Sequence, residues 1–479
     1  MLSAREIDEA IIKRDLLLSR VSASEREKLL KIISSLTKEL AAQMYELDDF
    51  VVMSPSKRMR IIKKFIKDGE KTISESFSGY GKSFSATLAE IIVFEAGQTG
   101  RMLNQAAVAA ATETSTVGTV NLNPESMTLT TEQAEMLLKD SWVTNKSVSE
   151  ILEGQEATFV NEFKKRVRKG YVSGQTNAQI ARELKGYTDK DGILHQGLDG
   201  ATAKSAERMV RTSCLAMANT ARLEMYRKNA DVIRCVKWLA ALDLRTCIHC
   251  AAIDGKYWDL DGQPMGHNIP FESPPVHQNC RCTTVPVLKS FSEIDDNGNV
   301  VETMAPDTRA SMNGQVSNQL DFGQWFESLG EEEQEKYLGA KRWKLYKEGK
   351  ITFSSLIDQN GRGMTIEEIR RASHVFVGNY APDMEKALWE LDDKSRANGM
   401  IFTEHGLTTF YGRLSATAEK KRIPSFEAAV DTHRNGAKYL DNDGGLARFK
   451  NNISLHYTKN DIIKTIIVRR KAGKNWEKL

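Results

Sequence analysis

The sequence predicts a multidomain protein: a mainly α-helical N-terminal and central region with a Cys/His-stapled, turn- and β-rich segment, followed by a small α+β domain. Three observations carry this expectation. Apolar residues recur at helical spacing through most of the first 230 positions. All six cysteines fall between Cys214 and Cys282. Past Gly436 the pattern changes to short β-type runs in a basic stretch. With 479 residues the chain exceeds one ordinary core, and about two to four domains are expected. The divisions read as a helical region 1–125, a central domain 126–292, a linker with helical segments 293–372 and an α+β domain 373–479.

Composition excludes several classes. A hydrophobic fraction of 41% beside 27% charged residues fits a folded chain rather than a disordered one. No run approaches the roughly 18–20 uninterrupted apolar residues of a membrane helix, so no membrane segment is expected. The opening MLSAREIDEAIIKRD is charged throughout and lacks the apolar stretch of a signal peptide, which points to synthesis and retention in cytoplasm. Net charge is only +3, yet residues 401–479 hold 15 Lys/Arg against 8 Asp/Glu, while the first 400 hold 52 against 56. The C-terminal end is therefore a basic module, compatible with a solvated surface or with a nucleic-acid partner.

Residues 3–110 read as long amphipathic helices. Leu29, Leu30, Ile32, Ile33, Leu36 and Leu40 recur at helical spacing, and Ser54-Pro55-Ser56 marks a second helix start, with proline in the first turn. Gly79 and Gly81 are expected to interrupt that helix, and the Thr/Ser/Gly-rich stretch near Val117–Pro124 reads as a loop. Thr176 is a natural N-cap ahead of Ile180 and Leu184. Residues 201–230 form another strong helix, and VIRCVKWLAALD has strand character before Asp243. Residues 251–276 are turn-rich, with Asp254-Gly255 and Asp261-Gly262 as hairpin-type turns, and read as a segment with little packing of its own.

Two short motifs flank that segment: Cys247-x2-Cys250, then 26 residues, then His277-x2-Cys280-x-Cys282. A C-x2-C turn sets two thiolates on one side of a tight loop, at a separation suited to tetrahedral zinc. Pro274-Pro275 stiffens the second loop, which lowers the entropy lost on binding. Five donors for four positions leave one surplus, either Cys282 or His277; His249 and His267 also lie near. The competing readings are reduced thiols in a small core, a redox pair or a catalytic zinc. Clustered ligands favour zinc over buried thiols, the absence of a βαβ pattern disfavours the redox reading, and a Cys-rich set closes the shell that catalysis would leave open. A structural zinc ion is the expected cofactor.

Arg211-Thr212, Asn219, Arg222, Tyr226, Trp238, Asp243-x-Arg245-Thr246-Cys247-x2-Cys250, Asp254-Gly255 and Pro274-Pro275-x-His277-x2-Cys280-Arg281-Cys282 together resemble the Mu F-like minor head family of phage head morphogenesis proteins. The resemblance covers about 155–290 and continues in Gln324–Arg371. It implies a low-copy structural protein of a tailed-phage virion, associated with portal protein and the capsid interior and acting in head morphogenesis or delivery of phage DNA, not a catalyst. It also implies that Asp243 and Arg245 order the metal loop through charge-assisted hydrogen bonds.

Residues 373–479 extend beyond what such a protein needs. Helical patterns in EKALWELDDKSRANGM, LTTFYGRLSATAEKKR and SFEAAVDTHRNG, the last ending at Gly436 as a C-cap, precede β-type runs in GAKYLDND, LARFKNNISLHYT and DIIKTIIVRRK. Turns are expected at Asp443-Gly444-Gly445 and Lys459-Asn460-Asp461. The polar constellation is His405, Arg413, Arg422, His433, Lys450, His456 and Thr465. Metal-free RNA cleavage needs a base, an acid and cations for the phosphate, which such residues supply. The layout of His405, Arg413, Arg422 and Thr465 is similar to small toxin ribonucleases of the barnase–EndoU–colicin–RelE type. That resemblance implies a phage-borne effector with host RNA as substrate and those four residues as catalytic. The alternative is a further virion-binding domain with surface His and Lys.

Overall fold

Long helices open the chain because apolar side chains return every three to four residues for many turns. In this computed structural model, which describes all residues except 1–3, 48–52, 114–126, 141, 144–145, 290–291, 296–298, 303–307, 318 and 442–444, α1 spans Ala4–Tyr45 and α2 spans Pro55–Glu113. The loop expected near Val117–Pro124 and most of the Asp443-Gly444-Gly445 turn lie outside the described residues. Leu29, Ile33, Leu36, Leu40 and Met44 of α1 are buried with Ile62, Phe65, Ile73, Phe77, Phe84 and Leu88 of α2 in one continuous core. The helix α2 runs unbroken through Gly79 and Gly81, correcting the expected interruption. A glycine costs a helix about 1 kcal/mol, which the buried Phe77, Tyr80 and Phe84 around the pair offset. Gly100 is a different case: a Cβ there would sit 2.0 Å from the Met127 carbonyl oxygen, so the segment entering α3 (Thr131–Asp140) crosses α2 where only glycine fits.

A hairpin of β1 (Trp142–Val143) and β2 (Lys146–Ser147) leads into α4 (Val148–Val172), which Ser147 starts with a reciprocal cap to Glu150. Thr176 caps α5 (Asn177–Lys185) in the same way, as its sequence position suggests. The hairpin of β3 (Gly186–Thr188) and β4 (Leu194–Gln196) then precedes α6 (Leu198–Lys228), the helix against which α1, α2 and α4 all pack. After α6 the chain enters β5 (Ile233–Leu239), fulfilling the strand character before Asp243. Helix α7 (Ile248–Ala252), β6 (Tyr257–Trp258), β7 (Pro264–Met265) and β8 (Thr283–Leu288) follow, and the four strands form an antiparallel sheet in the order β7-β6-β5-β8. Two further hairpins, β9 (Ser292–Ile294) with β10 (Val300–Glu302) and β11 (Thr308–Ser311) with β12 (Gly314–Ser317), lead to α8 (Phe322–Glu327). These elements, with 359–361, make one compact unit.

The second unit comprises 329–358 and 362–479 and has its own core. Its helices are α9 (Glu331–Leu338), α10 (Ala340–Lys347), α11 (Ile366–Ala372), α12 (Pro382–Ala397), α13 (Glu404–Leu414) and α14 (Phe426–Asn435). The antiparallel sheet contains β13 (Ala437–Leu440), β14 (Leu446–Lys450), β15 (Ile453–Tyr457), β16 (Ile463–Val468) and β17 (Glu477–Lys478), in the order β16-β15-β14-β13-β17. The stretch read as one β run from Leu446 is two strands, because Asn451 and Asn452 both take left-handed φ, 53° and 60°, and close a two-residue turn. Gly436 follows α14, but at φ −70° rather than in the left-handed region; its lack of a Cβ matters because one would lie 2.3 Å from the Thr432 carbonyl oxygen. Helix α13 packs on β16, and α14 on β14 and β15. Leu407, Phe410, Leu455 and Ile466 share that core, so Ser454 and His456, which alternate with Leu455, face the other side of the sheet.

Candidate metal centre

Cys247 ends the loop after β5 in extended conformation (φ −74°, ψ 160°) and N-caps α7, its sulfur accepting from the Cys250 N–H at 3.4 Å. The cap turns both thiols to one side. The second loop carries the cis Pro274–Pro275 peptide and closes through a Cys280 N–H to His277 carbonyl bond of 3.1 Å. Asn279 inside that turn has φ 66°, which asparagine tolerates better than most residues. Its side-chain oxygen accepts from Arg211, and its N–H donates to Thr212 Oγ1 at 3.4 Å, docking the loop on α6.

The two loops bring all five sequence-predicted donors together. Cys247, Cys250 and His277 form one triad and Cys250, Cys280 and Cys282 a second, with the donor atoms of each within 4.8 Å of one another and Cys250 common to both. Cys247 Sγ lies 3.1 Å from His277 Nε2, Cys250 Sγ lies 3.4 Å from the same nitrogen, and Cys250 and Cys280 sulfurs are 3.9 Å apart. Tetrahedral zinc with ordinary Zn–S and Zn–N bonds spans edges of about 3.5–3.8 Å, so the donor set fits such an ion. His277 Nδ1 is 2.8 Å from the Gln278 carbonyl oxygen, a contact that suits a protonated Nδ1 and turns Nε2 toward the sulfurs. Among the described residues no cysteine is in a disulfide.

The thiols polarise one another. A hydrogen bond from Cys250, helped against burial by His277, pulls Cys247 down to about 4. Cys250 is pushed up, first by donating to Cys247 and then by its contacts with Cys280 and Cys282. Cys280 is pulled down by hydrogen bonds from Cys250 and Cys282. His277 is raised to about 11 by Cys247 and Cys280. Thiolates alternating with thiols in a part-buried cluster are the donor chemistry a dication completes.

The other signature residues hold this centre without touching it. Asp243 Oδ1 accepts from Arg245 N–H at 2.8 Å and Arg281 Nη2 at 2.6 Å, while Oδ2 takes the second Arg281 nitrogen and Arg245 Nη2 at 3.3 Å. Burial opposes ionisation of Asp243, but the Arg281 and Arg245 donors win and hold it at about 2. Asp254, fully enclosed, accepts from the Ala240 N–H at 2.7 Å and from Arg309 Nη1 at 2.8 Å. Arg222 is buried and reaches Asp15 at 2.7 Å, Glu95 at 3.0 Å and Thr283 Oγ1 at 2.9 Å; Thr283 donates in turn to Asn219 Oδ1 at 2.8 Å. The residue after Cys282 is thereby tied to α1, α2 and α6. Sequence reading placed Arg281 and Arg309 in no role, since a lone arginine carries no local signal of a partner 38 or 55 positions away.

His267 and His249 stand apart from the cluster. His267 Nε2 lies 2.9 Å from the Tyr257 carbonyl oxygen, and His249 meets the Gly361 carbonyl. The turn-rich segment packs better than its sequence suggested. Trp258 is 1% exposed, lies against Trp238, His267 and Phe271, and donates to the Ile269 carbonyl at 2.8 Å. Gly255 and Gly262 do take left-handed φ at the expected turns.

In the second unit the constellation is dispersed. His405 is exposed on the first turn of α13 and lines a hollow of about 320 Å³ with Lys341, Lys344, Arg370 and Tyr380. Arg413 lies at the far end of α13, where its carbonyl accepts from Ile423 N–H at 3.0 Å, bringing the exposed Arg422 alongside. Thr465 pairs with His456 across β15–β16, on the sheet face away from α13. There His456 is bonded to Asp441 at 3.1 Å and Ser454 at 3.3 Å. His433 Nδ1 lies 2.9 Å from the Tyr457 hydroxyl, and Lys450 pairs with Asp431 at 2.9 Å.

Fold and site together define a mainly helical protein in which two loops of the central sheet carry a part-buried Cys/His cluster. Residues 161–285 match the family model described as Phage Mu protein F like protein, a span containing α6 and both cysteine loops. No curated protein and no solved structure matches the chain. Among the described residues no helix is long and apolar enough to cross a membrane.

Proposed function

We propose that the chain is a minor head protein of a tailed phage, binding portal protein and the capsid interior during head morphogenesis or delivery of phage DNA. The supporting observation is that the matched span 161–285 coincides with the centre described above, from α4 through both cysteine loops to β8. The centre holds a structural zinc ion through Cys247, Cys250, His277 and Cys280, with Cys282 as the surplus thiol. Assembly with the cognate portal and capsid proteins tests the head role. The protein should co-sediment with portal-containing shells; shells that form normally and never retain it would refute the assignment.

A second reading concerns 373–479, as a metal-independent ribonuclease acting on host RNA. The exposed His405 beside cationic Lys341 and Lys344 favours it, with Arg413, Arg422 and Thr465 as the companion residues. Expression of the full chain in bacteria should arrest growth and His405→Ala should relieve it; unimpeded growth with intact RNA returns the domain to a virion-binding role.

A further inference from the structure

The most unusual charged group in the second unit is Arg370. It is 1% exposed, yet its Nε and Nη1 have no hydrogen-bond partner among the described residues. Its remaining nitrogen meets Asp392 at 3.5 Å, and the same enclosed carboxylate also serves Arg371 at 3.4 Å and Arg396 at 3.0 Å. Phe376 and Trp389 cover the guanidinium at 4.8 and 5.2 Å from their ring centroids. Asp392, shared among three arginines, and the nearby Glu404 are the carboxylates that offset burial of this cation, and its unmade hydrogen bonds are costly.

Arg370 lines the hollow of about 320 Å³ that opens beside α13. Lys341 and Lys344 line it too, with Lys344 bonding the Val377 carbonyl at 2.6 Å through one of its three donors. The carboxylates there are Glu367 and Glu404. Glu404 is already engaged, accepting from Val377 N–H at 2.8 Å, Gly378 N–H at 2.6 Å and Tyr380 OH at 2.9 Å. Glu404 therefore shapes the wall; Glu367 stands beside the cations, Lys344 also lies 3.8 Å from Glu348, and Arg370 contributes an enclosed side chain to the lining. Three cations around a cavity at the lower end of small-molecule sites suit a compact, multiply charged oxyanion.

We propose that this hollow binds the phosphate group of a small phosphate ester, with Arg370 as the buried donor and Lys341 and Lys344 as the outer clamp. The hollow is the one that His405 lines in the ribonuclease reading, but binding needs neither the head role nor bond cleavage, so phosphate binding without RNA cleavage would separate the two. Titration calorimetry on the full chain at low salt would use inorganic phosphate, ribose 5-phosphate and adenosine 5′-monophosphate, with acetate as a carboxylate control. Phosphate and at least one ester should bind, acetate should not, and the double variant Lys341→Ala/Lys344→Ala should weaken binding by about tenfold or more. Lys341 is exposed and Lys344 half-buried, so this variant disturbs the core less than Arg370→Gln, which alters an enclosed group. Absence of phosphate binding, equal binding of acetate, or undiminished affinity in the lysine variant each overturns the site.

Discussion

Single side chains decide the metal centre and one conspicuous acid clamp. Cys250 belongs to both triads, whereas Cys282 belongs to one. Cys250→Ala should abolish zinc retention while Cys282→Ala keeps close to one zinc per chain, measured by metal analysis after gel filtration. Equal loss in both variants would move Cys282 into the ligand set. In the second unit Asp431 accepts from Asn435 at 2.8 Å, Lys450 at 2.9 Å and Asn451 at 2.8 Å, fastening α14 to the β14–β15 turn. These donors, Asn435 foremost, hold its carboxyl at about 2. A depressed carboxyl stabilises the fold above its ordinary pKa near 4 and loses that contribution as pH falls toward 2. The stability gap between natural protein and Asp431→Asn should therefore be full at pH 6 and shrink between pH 4 and pH 2.5 in denaturant titrations. A gap that ignores pH would show the clamp to be electrostatically idle.

Local signals set the elements wherever a cap or period was sufficient. Thr176 announced α5, and its capping box with Gln179 is present; Thr176→Ala should lower stability by about 1 kcal/mol in chemical denaturation, and no change would mean that packing of Ile180 and Leu184 alone fixes the helix start. The five donors were legible because ligand spacing is a local property of each loop. What escaped reading depends on distant chain. Gly79 and Gly81 look like breaks until Phe77 and Phe84 are seen in the core, and the turn-rich 251–276 looks loose until Trp258 is seen against Trp238. Arg309 was silent for the same reason, and Arg281 stood in the cysteine motif with no partner assigned. The paired left-handed Asn451-Asn452 turn was readable in principle, since asparagine is the side chain that most often accepts this backbone.

Two compact units with separate cores imply two separable melting events. The Cys/His centre lies wholly within the first unit, where it joins the loop after β5, the loop before β8 and, through Asn279, helix α6. A metal bound only by the folded form contributes its binding free energy to that unit and none to the other. Calorimetry on the full chain should therefore show a chelator-sensitive transition and a chelator-insensitive one. Treatment with a strong chelator should lower the first midpoint by several degrees and leave the second in place, and added zinc should restore it. The variant Lys341→Ala/Lys344→Ala should leave the chelator-sensitive midpoint unchanged, since both lysines lie in the second unit. A single transition that moves as a whole with chelator would mean that the units melt cooperatively. Two transitions both indifferent to chelator would remove the metal from the account of what holds the first unit together.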